Sequence, residues 1–283
     1  MAPTSADSSH KLLNYFTVWN IFGLLPRTVQ TKVPFVQDLL SSRDQLFVIL
    51  TETWLRDHKD AELMIEGYML FRADRQRPRK RRGRDSGGVA IYLRQDLAVD
   101  AEPVMCYSNG VIEILGLHSK SRNLLLIGLY RQPDDPTGGN RSTSKEFVSA
   151  LSELKEKIIL QGNPTPDIVL CGDFNLPNAA WPYGTPGNGC SKDEREMLDA
   201  LKEFTSEFFL YQKITSSTHK RGNILDLLFT NNPLFLHSYD CTNSQYSDHS
   251  IVECATTFEV KCTENLSSDG TDDTISSNWE SLN

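Results

Sequence analysis

The sequence predicts an α/β protein, and three observations predict it. Short apolar, β-branched runs such as 46–50, 124–130 and 251–258 recur along the chain at strand length. Between them lie segments with apolar residues on one helical stripe, clearest at Phe147, Leu151, Leu154 and Ile158. The third observation is the stretch 168–175, an apolar strand broken at Gly172 that delivers Asp173 and Asn175 one residue apart. Alternation at a strand end points both side chains the same way, so a carboxyl and an amide converge at a sheet edge. Taken alone, Gly-Asp-Phe-Asn also reads as an ordinary turn, because Gly, Asp and Asn are turn residues.

The 283 residues, 39% hydrophobic and 23% charged, suffice for one large or two small domains with a sizeable core. The net charge of −8 does not exclude a nucleic-acid partner. Residues 264–283 carry Glu264, Asp269, Asp272, Asp273 and Glu280 and no Lys or Arg, and without those five acids the charge is −3. The local distribution of charge decides instead. Cysteines 106, 171, 190, 241, 254 and 262 show no Cys-x-x-Cys pair and no metal spacing with the histidines. No apolar leader and no membrane-length run is found, so the expectation is a reduced, soluble, intracellular protein. The sequons at Asn140 and Asn265 are then chance matches.

Residues 1–15 are polar and read as disordered. A first strand over 17–21 carries Asn20 near its end. Val29, Val33, Val36, Leu39 and Leu40 mark a helix over 28–41 that Pro34 makes irregular or late-starting. The strand 46–50 runs into Thr51-Glu52-Thr53-Trp54, where Glu52 reads equally as a solvated strand end or a metal ligand. Residues 72–84 hold eight positive charges in thirteen positions. A solvated mobile loop, a nuclear-localisation patch and a phosphate grip through Arg79, Lys80, Arg81 and Arg82 all remain open there.

Gly87-Gly88 opens a strand over 89–93, and 111–117 with 124–130 form a hairpin that ends in Tyr130-Arg131-Gln132-Pro133. A loop over 133–142 leads to the helix 144–159, and after the Gly-Asp-Phe-Asn strand comes an irregular loop over 176–190. Ser191-Lys192-Asp193-Glu194 is a capping box for a helix whose apolar face carries Met197, Leu201, Phe204 and Phe208. The strand 224–229 sets Asp226 among apolar residues, where a carboxyl needs a partner. His249, in Ser247-Asp248-His249 just before the last strand, could supply it. The tail 261–283 reads as disordered.

In order, Thr-Glu-Thr-Trp-Leu (51–55), Tyr-Arg-Gln-Pro (130–133), Gly-Asp-Phe-Asn (172–175), Leu-Asp-Leu-Leu-Phe-Thr-Asn (225–231) and Ser-Asp-His (247–249) resemble the endonuclease/exonuclease/phosphatase superfamily. Within it they most resemble the apurinic-like endonuclease domain of non-LTR retrotransposons. The resemblance spans residues 16–260. It implies a four-layered sandwich of two face-to-face mixed β-sheets flanked by helices, with the active site at one end. It also implies a Mg2+-dependent DNA endonuclease, with Mn2+ as an alternative ion, that nicks one strand of a duplex for retrotransposon insertion. Glu52 is then the main metal ligand, with Asn20 and Asp248 beside it. Asp173 orients or deprotonates the attacking water, and Asn175 holds that water or the phosphate. His249, fixed and kept protonated by Asp226, contacts the scissile phosphate, and Tyr130 donates a hydrogen bond to it. Thr218 and Ser247 contact DNA or orient His249. The expected partner is DNA and not a membrane, the protein a nuclear monomer, and the fuller reading frame one fused to a reverse transcriptase. An apurinic-type repair nuclease, a phosphatase or phospholipid-headgroup hydrolase, and a catalytically idle domesticated copy are the alternatives. The arginine-rich run favours DNA, and every principal catalytic position is filled.

Overall fold

A computed structural model describes residues 13–25, 31–43, 45–56, 60–76, 86–134, 143–162 and 165–258. β1 (Asn14–Asn20) leads through α1 (Val33–Ser42) to β2 (Gln45–Thr51), β3 (Tyr68–Ala73) and β4 (Val89–Arg94). A short α2 (Gln95–Ala98) precedes β5 (Ala101–Ser108), β6 (Ile112–Ser119), β7 (Leu124–Arg131), α3 (Ser144–Ile159) and β8 (Asp167–Asp173). A small ribbon, β9 (Ala179–Ala180) and β10 (Thr185–Pro186), is followed by α4 (Lys192–Glu207). The last strands are β11 (Tyr211–Gln212), β12 (Asp226–Thr230), β13 (Ser238–Asn243) and β14 (Ser250–Thr256).

The long strands form two six-stranded sheets, ordered β13-β14-β1-β2-β4-β3 and β11-β12-β8-β7-β6-β5. Each has a parallel pair at its centre, β1 with β2 and β7 with β8. A parallel pair needs a crossover, and α1 and α3 supply the two. β2 shows why its sequence is continuously apolar: Phe47 and Ile49 face the other sheet while Val48 and Leu50 pack beneath α1. Between the sheets, Phe16, Phe47 and Val89 meet Leu115, Leu126 and Val169. Outside the second sheet, Phe147, Leu151, Met197 and Leu201 of α3 and α4 cover Ile114, Ile127 and Leu170. Helix, sheet, sheet and helices make the expected four layers.

Six strands were not expected from the sequence: the two-residue strands of the ribbon β9-β10, and the edge strands β3, β5, β11 and β13. The burial patterns of the edge strands are mixed, because an edge strand faces solvent along one side and needs no apolar run. β3 also corrects the reading of the basic run as a loop from its first residue. Arg72 lies in that strand, 3.0 Å from both Asp60 and Asp74, so the run begins inside the fold. Arg79, Lys80, Arg81 and Arg82 lie outside the described residues, as do 1–12 and the tail from 259. α1 starts late, with Pro34 in its first turn, where a missing N–H costs nothing. Ser191 Oγ caps α4 by accepting from the Glu194 amide at 3.1 Å. The reciprocal half of the box is replaced: the Glu194 carboxyl binds the Asn178 amide and side chain, 2.8 Å each, and ties down the loop 176–190. None of the described helices is long and apolar enough to cross a membrane.

Candidate active site

The strand order lines up two rows of functional groups. In the first sheet β14, β1 and β2 are neighbours, which puts Asp248, Asn20 and Glu52 at adjacent strand ends. In the second, Asp226, Asp173 and Tyr130 lie opposite one another across β12, β8 and β7. Three hydrogen bonds join the rows across the sandwich. His249 Nδ1 lies 2.7 Å from Asp226 Oδ2, Asn20 Nδ2 donates to Asp173 Oδ2 at 2.8 Å, and the Tyr130 hydroxyl donates to Glu52 Oε1 at 2.7 Å. None of these six residues is more than 9% exposed.

Asp173 sits where only glycine can precede it. Gly172 has φ +140°, and a Cβ there would run into the Leu129 carbonyl of β7. Asp173 and Asn175 do converge, but through a turn beyond the strand end and not by alternation. β8 stops at Asp173, and Asn175 takes φ +48°, a left-handed conformation that Asn tolerates. Asp173 Oδ1 accepts from the Asn175 amide at 3.0 Å, and Oδ2 accepts from Asn175 Nδ2 at 2.8 Å. Asn175 Nδ2 also donates to the Arg131 carbonyl at 2.7 Å, while Arg131 Nη1 donates to the Asn175 carbonyl at 2.8 Å. Both amide hydrogens of Asn175 are therefore committed inside the protein, and the group serves Asp173 before it serves any water or phosphate. Burial pushes the Asp173 carboxyl up; His249 pulls against it while Asp226 and Glu52 add to it, leaving it at about 8.

Burial pulls the His249 imidazole down, but Asp226 and Asp173 outweigh it and hold it up at about 10. With Nδ1 on Asp226, Nε2 faces Asp173 Oδ2 at 3.8 Å and Asn20 Nδ2 at 3.5 Å. Thr218 and Ser247 support this pair. The fully buried Thr218 Oγ1 accepts from the Leu225 and Asp226 amides at 3.0 Å, and Ser247 Oγ accepts from the His249 amide at 3.1 Å. Of the two roles expected for them, orientation of His249 is the one this geometry supports; at 0% and 6% exposure neither presents itself to DNA.

The Tyr130 hydroxyl, expected on the phosphate, donates here to Glu52 Oε1, and the residue is 1% exposed. Arg75 lies 5.5 Å over the Tyr130 ring and is fixed by the buried Glu113, at 2.8 and 3.0 Å, and by Gln132 Oε1 at 2.7 Å. Glu52 takes φ +51° and accepts a second bond, from Trp54 Nε1 at 3.2 Å. Asp248 is half exposed, and its Oδ2 lies 3.3 Å from His219 Nε2. His219 Nδ1 accepts from the Arg221 amide at 3.1 Å, so the ring proton is on Nε2 and is given to Asp248. Burial pushes the Asp248 carboxyl up, but His249 and the His219 hydrogen bond outweigh it and leave it below its ordinary range.

Sequence reasoning missed His219, Arg75, Glu113 and Arg131 as parts of the site. Arg131 stood inside a quoted motif, and His219 stood next to Thr218; for Arg75 and Glu113 the signal exists only in three dimensions. Among the described residues, two groups of ligand atoms fall within 4.8 Å of one another, Asp173 with Asp226 and His249, and His219 with Asp248 and His249. Acidic and histidine groups here could thus hold a metal, and Glu52 belongs to neither tight group.

Fold and site together resemble those of the endonuclease/exonuclease/phosphatase superfamily. Residues 124–253 match the family model described as endonuclease-reverse transcriptase. Among solved structures, the endonuclease domain of TRAS1, a telomere-specific non-LTR retrotransposon, shares 14% identity over 87% of this chain and 98% of its own, with a TM-score of 0.54. The AP endonuclease LMAP from Leishmania major shares 14% over 86% and 87%, with a TM-score of 0.59. The 3'-5' exonuclease NExo from Neisseria meningitidis shares 17% over 85% and 98%, with a TM-score of 0.56. No curated protein matches the chain in sequence.

Proposed function

We propose that the chain is a divalent-metal-dependent DNA endonuclease that nicks one strand of a duplex, of the kind that serves retrotransposon insertion. One observation carries this reading: a buried carboxyl held near neutral pH lies 3.8 Å from an imidazole held positive by a second carboxyl. That is the pairing needed to take a proton from water and to offset charge on a phosphoryl group.

The metal fits the residues present. Glu52 is 9% exposed, and both contacts of its carboxyl are to neutral donors, Tyr130 and Trp54. Arg75 and Lys32 act on it from further off, and a bound cation would meet the carboxyl directly. Glu52 and Asp248, with the Asn20 carbonyl oxygen, would hold a hard ion such as Mg2+ or Mn2+, which supplies positive charge against the phosphoryl oxygens. Asp173, steadied by Asn20 and Asn175, accepts the proton of the attacking water. His249 keeps Nδ1–H on Asp226 and turns Nε2–H towards a non-bridging oxygen of the phosphate. Tyr130 and Trp54 fix the Glu52 carboxyl in place.

The choice of DNA over a small phosphate ester rests on the arginine-rich run, since phosphate neutralisation dominates nucleic-acid affinity. Purified protein incubated with supercoiled plasmid and Mg2+ should yield nicked circles, and a chelator should abolish the product. Relaxation undiminished by chelator would remove the metal mechanism, and an untouched plasmid would remove the nuclease reading.

A further inference from the structure

Each loop that carries a proposed metal ligand also carries an aromatic residue two positions away: Asn20 and Phe22, Glu52 and Trp54, Asp248 and Tyr246. Phe22 is 44% and Tyr246 37% exposed, and Trp54 is half-buried. Phe22 and Trp54 meet edge to face, with ring centroids 4.6 Å apart. Tyr246 packs on Phe35 at 5.0 Å, and Phe35 in turn rests edge-on against the buried Trp19 at 5.4 Å.

The backbone holds two of these rings in place at a cost. Phe22 has φ +52° and Trp54 φ +57°, a region that bulky residues rarely adopt and that costs of order 1–3 kcal/mol each. Gly23 makes room, because a Cβ there would lie 2.6 Å from Trp54 Cε3. The same two residues are bonded to the ligands they flank. The Phe22 amide donates to Asn20 Oδ1 at 3.1 Å, and Trp54 Nε1 donates to Glu52 Oε2. Lys32 then staples the loops together. Its ammonium group, in a residue 5% exposed, donates to the carbonyls of Ile21 at 2.5 Å and of Phe22 and Tyr246 at 2.9 Å each. A buried lysine given over to backbone carbonyls is a structural device, and what it positions is the pair of exposed rings beside the ligands.

We infer that Phe22, Trp54 and Tyr246 form a stacking surface for an unpaired nucleobase next to the scissile phosphate. The inference rests on the nuclease reading above and narrows it: the preferred substrate carries a base beside the cut that is out of the helix. Two residues of chain span at most about 7 Å, so a ring two positions from a ligand reaches the sugar and base attached to a phosphate held there. Every base has a π-face, so stacking on aromatic rings binds a strand without reading its sequence.

The test compares oligothymidylate with a base-free tetrahydrofuran-phosphate oligomer of the same length, bound to the full chain with Ca2+ in place of Mg2+ and read by fluorescence anisotropy. The expected preference for the base-bearing strand is about tenfold or more. Phe22→Ala and Tyr246→Ala should each reduce that preference several-fold and the double substitution should remove it, with affinity for the base-free strand unchanged. Tyr246→Phe, which keeps the ring, should retain it. Equal binding of the two oligomers by the unaltered protein would overturn the inference without any variant, as would a preference that survives the double substitution. Either result alongside intact plasmid nicking leaves the nuclease reading standing, whereas absence of both nicking and oligomer binding would overturn the two together.

Discussion

Asp226→Asn keeps the shape of the side chain and removes its charge. Asp226 is 2% exposed, its Oδ2 lies 2.7 Å from His249 Nδ1, and its Oδ1 has no partner. The amide oxygen can take the place of Oδ2, but the NH2 then falls where Oδ1 was, buried and unpaired. That costs stability by roughly 1–3 kcal/mol. The larger consequence is electrostatic. Asp226 leads the charges that raise His249 from 6.5 to about 10 against the pull of burial. Without it the imidazole falls back towards its ordinary value. At pH 8 a histidine of ordinary pKa is charged in only about 3% of molecules, so nicking should fall about thirtyfold if the imidazolium is required. The deficit should grow about tenfold per pH unit above the variant's pKa and shrink to less than about twofold near pH 6. The assay is kcat/KM for plasmid nicking from pH 6 to 9, expressed as variant over wild type. A ratio constant across that range would refute the argument, because a purely positional role for Asp226 has no pH dependence.

Three further outcomes are expected. If Asp226 acts through His249, the double substitution Asp226→Asn with His249→Ala should nick scarcely more slowly than His249→Ala alone, since residues that work as a unit do not sum their losses; multiplicative losses would separate the two. Gly172→Ala should lower stability by about 3 kcal/mol or more, seen as a lower urea midpoint, because the new methyl meets the Leu129 carbonyl at φ +140°. Replacing Arg79, Lys80, Arg81 and Arg82 by Ala should flatten the salt dependence of DNA binding by about 0.9 in log–log slope per lost phosphate contact. An unchanged slope would return that run to a solvated loop or nuclear signal.

The parts of the fold legible in the sequence are those buried on both faces. β2, β7 and β8 lie at or next to the centre of their sheets, so nothing interrupts their apolar runs, and a polar residue at the end of one is conspicuous. That is how Glu52, Tyr130 and Asp173 were found. β3, β5 and β13 escaped because edge strands carry mixed patterns, and Arg72 in β3 was absorbed into a charge run. Roles were harder to read than positions. Tyr130, Thr218 and Ser247 were placed in the site by motif, and the structure adds that their hydroxyls bond the Glu52 carboxyl and the Asp226 and His249 amides. A motif records that a polar group is wanted; only packing shows which neighbour already occupies it. Lys32, buried under three carbonyls from two distant segments, has no local signal at all.

The central claim is that hydrolysis happens where the two sheets are joined through Asp173 and His249. Asp173→Asn removes the proposed base while keeping its size, and the purified variant can be shown to be folded by its circular dichroism and thermal transition. Its rate of Mg2+-dependent nicking, measured beside wild type prepared identically, tests the claim directly. The account predicts a loss of about a thousandfold or more with the fold retained. A folded Asp173→Asn protein that nicks at the wild-type rate would contradict it and move the chemistry elsewhere.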